Sequence, residues 1–139
     1  MRETMLEDVL RGGFSELGLE PDGRAAERYR IYYENLEETN KVMNLTAISG
    51  EADVARLHFL DCAALLGMQD FAGSRVIDVG TGAGFPGLAL KIACPEMQLT
   101  LLDSLDKRIG FLRDTCAKLG FDDVECVHAR AEEIPDGYR

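Results

Sequence analysis

The sequence predicts an α/β fold in which a helical N-terminal part, residues 1–70, is followed by a parallel sheet in residues 71–139. Two observations predict it. In the first part, apolar residues such as Leu6, Leu10 and Phe14 recur at helical spacing. From Gly73 onward, short β-branched runs alternate with helical stretches, a pattern that indicates right-handed crossovers and a parallel sheet with helices on its faces.

Three helices are predicted in the N-terminal part. The first carries an apolar stripe from Leu6 to Leu17 and ends near Gly18, and the second repeats the pattern around Tyr29 and Leu36. The third, at about residues 51–66, is apolar on most of its sides. We therefore expect it to lie between other elements rather than on the surface.

The second part contains three strand–helix units. The strands are expected at residues 75–79, 98–102 and 124–128. A helix at residues 87–94 ends before Pro95, and another begins at about Asp106 and is closed by Gly120 as its C-terminal cap.

Composition limits the class of protein. The 139 residues are 46% hydrophobic, enough for one buried core, and 15 Lys and Arg against 25 Asp and Glu give a net charge of −10. Such a charge repels nucleic acid and anionic membranes. Acidic residues stand where an export signal would have an apolar run, and no uncharged stretch approaches the roughly 20 residues of a membrane span. A cytoplasmic protein without a membrane partner is expected.

The four cysteines, Cys62, Cys94, Cys116 and Cys126, lie singly, with no CxxC pair. Reduced, buried thiols are the favoured interpretation, and no metal site is predicted.

The chemistry is expected in the loop at residues 78–87, DVGTGAGFPG, which joins the first strand to its helix. Gly80, Gly82 and Gly84 stand at alternate positions, so the backbone can approach a ligand closely and adopt positive φ at little cost. A cofactor cradle is the first hypothesis. The alternative is a tight turn that only connects strand and helix.

Two classes of cofactor are disfavoured by the loop. A dinucleotide fingerprint needs a third glycine five residues after the first, where Phe85 stands, and a P-loop needs Lys and Ser or Thr after its last glycine, where Leu88 and Ala89 stand. S-adenosylmethionine, with an adenosine and a small zwitterionic tail, needs no phosphate cradle. It is the predicted cofactor.

Other candidate site residues follow the strands. Asp103 lies 23 residues after Gly80, where a carboxylate accepts hydrogen bonds from ribose hydroxyls in nucleotide-binding α/β units. The alternative is a helix cap. Ala131 and Glu132 follow the third strand, at the edge where an adenine would rest. Asp78 is expected to orient either the loop or the amino group of the methionine, or to have a purely structural role.

At this point the sequence resembles the ribosomal RNA small subunit methyltransferase G family, also called glucose-inhibited division protein B. The resemblance covers roughly residues 41–133 and is carried by the segments NLT (44–46), HFLD (58–61), VIDVGTGAGFPG (76–87) and LLDSL (101–105) with Lys107-Arg108. It implies S-adenosylmethionine-dependent methylation of a guanine N7 in 16S ribosomal RNA of the small subunit. It also implies that Gly80 and Phe85 touch the cofactor, that Asp103 faces its ribose, and that the backbone around Ala131 and Glu132 meets its adenine.

The resemblance further implies a Rossmann-like class I methyltransferase sheet, which is incomplete here because the sequence stops after the third strand unit. We interpret the chain as the N-terminal part of such an enzyme. The first strand would be central in the family's sheet, so its edge should be bare, and self-association through that edge is expected.

No catalytic side chain is predicted, because guanine N7 carries an in-plane lone pair and needs no general base. The basic residues of the last predicted helix, Lys107, Arg108, Arg113 and Lys118, are better explained as a solvated helix face than as an RNA patch. The alternatives are a methyltransferase for a small molecule or protein, which suits the acidic charge, and a non-catalytic cofactor-binding remnant.

Overall fold

The computed structural model describes residues 5–21 and 23–133. The N-terminal part is helical. Helix α1 spans Met5–Leu17 and α2 spans Ala25–Asn40. A third helical segment runs through α3 (Glu51–Val54), a π-helical stretch (Ala55–Leu60), α4 (Asp61–Ala63) and a 3₁₀ turn (Ala64–Gly67).

The second part is a three-stranded parallel sheet with the order β1-β2-β3. The strands are β1 (Arg75–Val79), β2 (Gln98–Asp103) and β3 (Glu125–His128). Helix α5 (Gly87–Ala93) connects β1 to β2, and α6 (Asp106–Leu119) connects β2 to β3. Parallel pairing aligns Val79 with Leu102 and Asp103 with His128. The strands therefore end together, at one carboxyl edge.

The structure confirms the predicted fold class. Strand β1 has the predicted bounds, and the ends of the other elements differ from those predicted by one or two residues. Gly120 follows α6 in the left-handed conformation with φ 79°, as expected of a C-terminal cap. The segment after β3 forms only a 3₁₀ turn, at Ala131–Glu133.

The helical segment at residues 51–67 packs between α1 and α5, as its apolar sides predict, although Leu57 is 52% exposed. Its π-helical stretch has no counterpart in the sequence prediction. One hydrophobic core joins both parts of the chain and includes Leu6 from α1, Tyr32 from α2 and Leu88 from α5. The division at residue 70 stays a prediction.

Helix α5 is buried along its whole length, and it contains a lysine. The Lys91 ammonium group, 1% exposed, donates to the carbonyl oxygens of Pro95 at 2.6 Å and Met97 at 2.7 Å and pairs with the Asp123 carboxylate at 2.8 Å. These partners satisfy all three N–H donors of the ammonium group, which explains how a charged residue can occupy the core.

Strand β1 is one edge of the three-stranded sheet and is less buried than the central strand β2. Its residues are half-buried or exposed, and Val79 is 45% exposed, whereas β2 is buried at Leu99, Leu101 and Leu102. This exposure is consistent with the bare edge expected of the first strand. Self-association through that edge stays a prediction.

Among the described residues, no helix combines the length and the apolar character that crossing a membrane requires. The four cysteines are free thiols, but the expectation that all are buried is wrong, since only Cys116 of the four is buried and the others are half-buried. In residues 5–21 and 23–133, no group of three or more His, Cys, Asp or Glu side chains is arranged to hold a metal ion.

Candidate functional site

The loop between β1 and α5 contains two kinds of glycine. Gly80 and Gly82 adopt positive φ, 71° and 60°, and a Cβ built on either would meet no atom within 4 Å. Their side-chain positions therefore face open space. A bare backbone surface remains beside the carboxyl edge of the sheet, as a closely approaching ligand would require.

Gly84 and Gly87 are glycines for a different reason. A Cβ on Gly84, where φ is 102°, would lie 2.5 Å from the Tyr32 hydroxyl oxygen, and one on Gly87 would lie 2.9 Å from both Asp78 Oδ2 and Leu101 Cδ2. These two glycines serve packing of the loop against α2 and against the sheet. A turn that only connects strand and helix would also favour glycine at Gly80 and Gly82, because both adopt positive φ. What supports the cofactor cradle is that the space beside these two residues is open.

The loop amides are used within the chain. Gly80 N and Thr81 N donate to the Leu102 carbonyl at 2.8 and 3.1 Å, and Gly82 N donates to Asp103 Oδ2 at 2.9 Å. These three amides therefore do not serve as donors to a ligand. What the glycines provide is close approach.

Asp103 is the last residue of β2 and is 2% exposed. Besides the Gly82 amide, its carboxylate accepts the Leu105 amide at 2.9 Å on Oδ1, and Arg108 Nη1 lies 3.5 Å from the same oxygen. The capping alternative fails in its simple form, because Leu105 is the N-cap of α6 and no side chain caps that helix. Oδ2 accepts the Gly82 amide and by count keeps one further acceptor site, which a hydroxyl could use.

Asp78 holds the loop in place through hydrogen bonds. Its Oδ2 accepts the Thr81 hydroxyl at 2.7 Å and the Gly87 amide at 2.9 Å. Burial raises the pKa of this carboxyl above its usual range, partly offset by these hydrogen bonds. Both partners belong to the loop or to the start of α5, which supports a loop-orienting role for Asp78. A contact with the amino group of the methionine stays a prediction.

Phe85 belongs to an aromatic cluster that joins the loop to the N-terminal part. Its ring stacks on His58 with a centroid separation of 4.0 Å and an interplanar angle of 5°, and on Tyr32 at 5.5 Å. Phe59 lies against the same ring at 6.1 Å. Phe85 therefore anchors the loop, and a contact with a ligand would use the part of its half-buried ring that this cluster leaves uncovered.

The motif segments NLT and HFLD meet at this cluster. His58 Nε2 and Thr46 Oγ1 share a hydrogen bond of 2.8 Å, while Asn40 Oδ1 accepts the Leu45 and Thr46 amides at 2.8 and 3.1 Å. The chain of contacts runs from the end of α2 through Thr46 and His58 to Phe85. In the sequence these segments are only marks of resemblance, and their spacing does not predict this contact.

His58 is expected to make the free energy of unfolding depend on pH. Burial lowers the pKa of His58 below its model-peptide value of 6.5, against a smaller opposing effect of Asp61. The unfolded chain then binds more protons at His58 than the folded chain below about pH 6.5. Protonation therefore favours the unfolded chain, and the free energy of unfolding is full above that pH and decreases as the pH falls. We expect the free energy of unfolding to fall with acidification.

Urea unfolding at several pH values between about 5 and 8 measures this loss. His58→Phe keeps a ring against Phe85 and removes the titrating group, so its free energy of unfolding should fall less over the same range. Identical pH dependence in both proteins would show that His58 does not contribute.

Ala131 and Glu132 lie in the exposed 3₁₀ turn after β3. The Ala129 amide donates to the Asp103 carbonyl at 3.1 Å, which brings the start of this segment next to the end of β2. The open glycines, the buried Asp103 carboxylate and this turn thus follow three adjacent strands at one edge. A surface bare of side chains beside a carboxylate suits a nucleoside with ribose hydroxyls.

The chain is similar to known proteins of one family. A family model described as GidB, rRNA small subunit methyltransferase G, matches residues 25–138. Proteins named "Ribosomal RNA small subunit methyltransferase G" are similar to the chain: that of Alkaliphilus metalliredigens is 46% identical over 90% of this chain and 53% of its own length, and that of Staphylococcus epidermidis is 47% identical over 88% and 52%.

A third relative of the same name, from Clostridium perfringens, is 39% identical over 91% of this chain and 53% of its own. The chain spans about half the length of the curated relatives it matches. The family match covers the loop, the aromatic cluster and all three strands. The chain belongs to the rRNA small subunit methyltransferase G family.

Proposed function

We propose that this chain binds S-adenosylmethionine at the carboxyl edge of its sheet, as part of a methyltransferase that acts on a guanine N7 of 16S ribosomal RNA in the small ribosomal subunit. The observation that carries the proposal is the pair of open glycines beside a buried carboxylate. The name of the relatives supplies the class of substrate.

The residues present fit such a cofactor. Gly80 and Gly82 leave room for an adenosine to lie against the backbone, because no Cβ stands there. We expect Asp103 to accept hydrogen bonds from the ribose hydroxyls and the backbone around Ala131 and Glu132 to contact the adenine. We expect Phe85, near the α5 end of the loop, to contact the cofactor.

The bound cofactor would supply an electrophilic methyl group on a sulfonium. The task of this chain is then to hold and orient, since a guanine N7 attacks through its own lone pair and releases no proton. Asp78 fits a supporting role here, because its hydrogen bonds to Thr81 and Gly87 fix both ends of the loop. No general base is assigned.

Charge argues against strong binding of free RNA by this chain alone. The net charge is −10, and three of the four basic residues on α6 have partners in the chain: Arg108 at Asp103, Arg113 at the Cys126 carbonyl and Lys118 at Asp114. We therefore expect recognition of the assembled subunit, in a cytoplasmic setting, rather than salt-sensitive binding of naked RNA.

The test is transfer of labelled methyl from S-adenosylmethionine to small ribosomal subunits that lack the modification, beside free 16S RNA and with S-adenosylhomocysteine titration in parallel. Formation of 7-methylguanosine, identified by mass spectrometry after nuclease digestion, supports the proposal. Absence of cofactor binding overturns it.

The acidic charge favours a second candidate, a methyltransferase for a small molecule or a protein. Label that appears in these substrates and not in the subunits would support it. Cofactor binding without any product would favour the third alternative, a non-catalytic cofactor-binding chain.

A further inference from the structure

Two tyrosines of α2 reach across to the second part of the chain, each through its hydroxyl. Tyr29 and Tyr32 are both fully buried. Tyr29 donates to the Ala89 carbonyl, inside α5, at 2.8 Å, and Tyr32 donates to the Ala83 carbonyl, inside the glycine loop. The two bonds are chemically alike, but they end on different structures, one on a helix and one on the loop.

The loop needs such a restraint. Ala83 lies between Gly82 and Gly84, which both adopt positive φ, and glycines lose more backbone entropy on ordering than other residues. The loop touches the Tyr32 hydroxyl closely, since a Cβ on Gly84 would come within 2.5 Å of it. The ring of Tyr32 also stacks on Phe85, the residue that ends the glycine stretch.

The hydroxyl is held as a donor. Burial raises the pKa of Tyr32 far above its ordinary value, and the nearby Cys62, Cys116, Asp78 and Tyr29 act in the same direction. Tyr32 therefore stays protonated at neutral pH.

We propose that Tyr32 is a positioning residue for the cofactor, whose hydroxyl fixes the Ala83 carbonyl and so keeps the surface over Gly80 and Gly82 in its binding shape. This inference rests on the proposed function, because it assumes that the ligand lies on that surface. Without the bond, the loop samples other conformations and the ligand must restore the right one, so affinity falls while the ligand contacts stay the same.

Tyr29 supplies a matched control. Tyr32→Phe and Tyr29→Phe each remove one buried hydroxyl, and both should lower the urea midpoint. The decrease should be smaller for Tyr29→Phe, because the Ala89 carbonyl lies inside α5, where a helical amide can also donate to it. Titration of S-adenosylhomocysteine by calorimetry should separate them. We expect Tyr32→Phe to weaken binding about tenfold and Tyr29→Phe by less than about twofold.

Amide exchange adds a readout without ligand. The Gly84 and Phe85 amides donate to the Thr81 carbonyl at 3.0 and 3.1 Å, so their exchange reports directly on loop opening. It should speed up in Tyr32→Phe and stay as in wild type in Tyr29→Phe.

The outcomes are distinguishable. If wild type binds S-adenosylhomocysteine and both variants bind it equally well, Tyr32 has no positioning role, while the proposed function stands. If wild type does not bind it at all, the proposed function fails and the cofactor role of Tyr32 fails with it. Weaker binding and faster loop exchange confined to Tyr32→Phe support the inference.

Discussion

Gly82→Ala should abolish most cofactor binding at a moderate cost in stability, whereas Gly84→Ala, two residues further on, should destabilise the fold more strongly. The Gly82 methyl would enter open space, in the surface assigned to the ligand, at a backbone φ of 60° that costs roughly 1 kcal/mol for alanine. We expect S-adenosylhomocysteine affinity to fall at least about tenfold, because the backbone can no longer be approached closely.

The Gly84 methyl would meet protein instead. It would lie 2.5 Å from the Tyr32 hydroxyl oxygen and 3.1 Å from Leu88 Cβ, at a φ of 102°. Overpacking together with backbone strain predicts a loss of about 2–4 kcal/mol in the free energy of unfolding. Urea unfolding and calorimetric titration of both variants measure the contrast. Unchanged affinity in Gly82→Ala would mean that the open surface is not where the ligand lies.

Asp103→Ala is expected to have the second large effect, on stability and on binding together. It removes the acceptor of the Gly82 and Leu105 amides, and a buried donor without a partner costs about 1–3 kcal/mol. If the carboxylate also faces the ribose, affinity should fall by about a hundredfold. Arg108→Met is the control, since it removes a 3.5 Å ion pair from a partly exposed arginine and should change little.

The structural and the ribose roles of Asp103 are separated by the ligand. Wild type should bind a 2′-deoxy analogue of S-adenosylhomocysteine less tightly than S-adenosylhomocysteine itself, and Asp103→Ala, which has no side-chain acceptor, should bind both equally. If Asp103→Ala discriminates between the two ligands as well as wild type does, the carboxylate serves only to hold the loop against β2.

The sheet could be predicted from the sequence because its signals are local. The β-branched run at β1 ends directly at Gly80, and Pro95 ends the helix before β2, so pattern and chain breakers agree. Asp103 could be placed for the same reason, at the end of a strand of known direction. Parallel connections then bring the strand ends to one edge without further information.

What could not be predicted depends on contacts between distant residues. Gly80 and Gly84 cannot be distinguished in the sequence. Their roles differ because Tyr32 packs against Gly84 and not against Gly80. The stack of His58 on Phe85 joins residues 27 positions apart in numbering. The burial of Lys91 depends on Asp123 and on two carbonyls that no periodicity marks.

The most direct test is a crystal structure of the chain with S-adenosylhomocysteine. We expect the adenosine against the backbone of Gly80 and Gly82, its ribose hydroxyls within hydrogen-bond distance of the Asp103 carboxylate, and the Tyr32 bond to Ala83 intact. A ligand bound at another place in the chain, or a side chain filling the space before Gly82, would contradict the account.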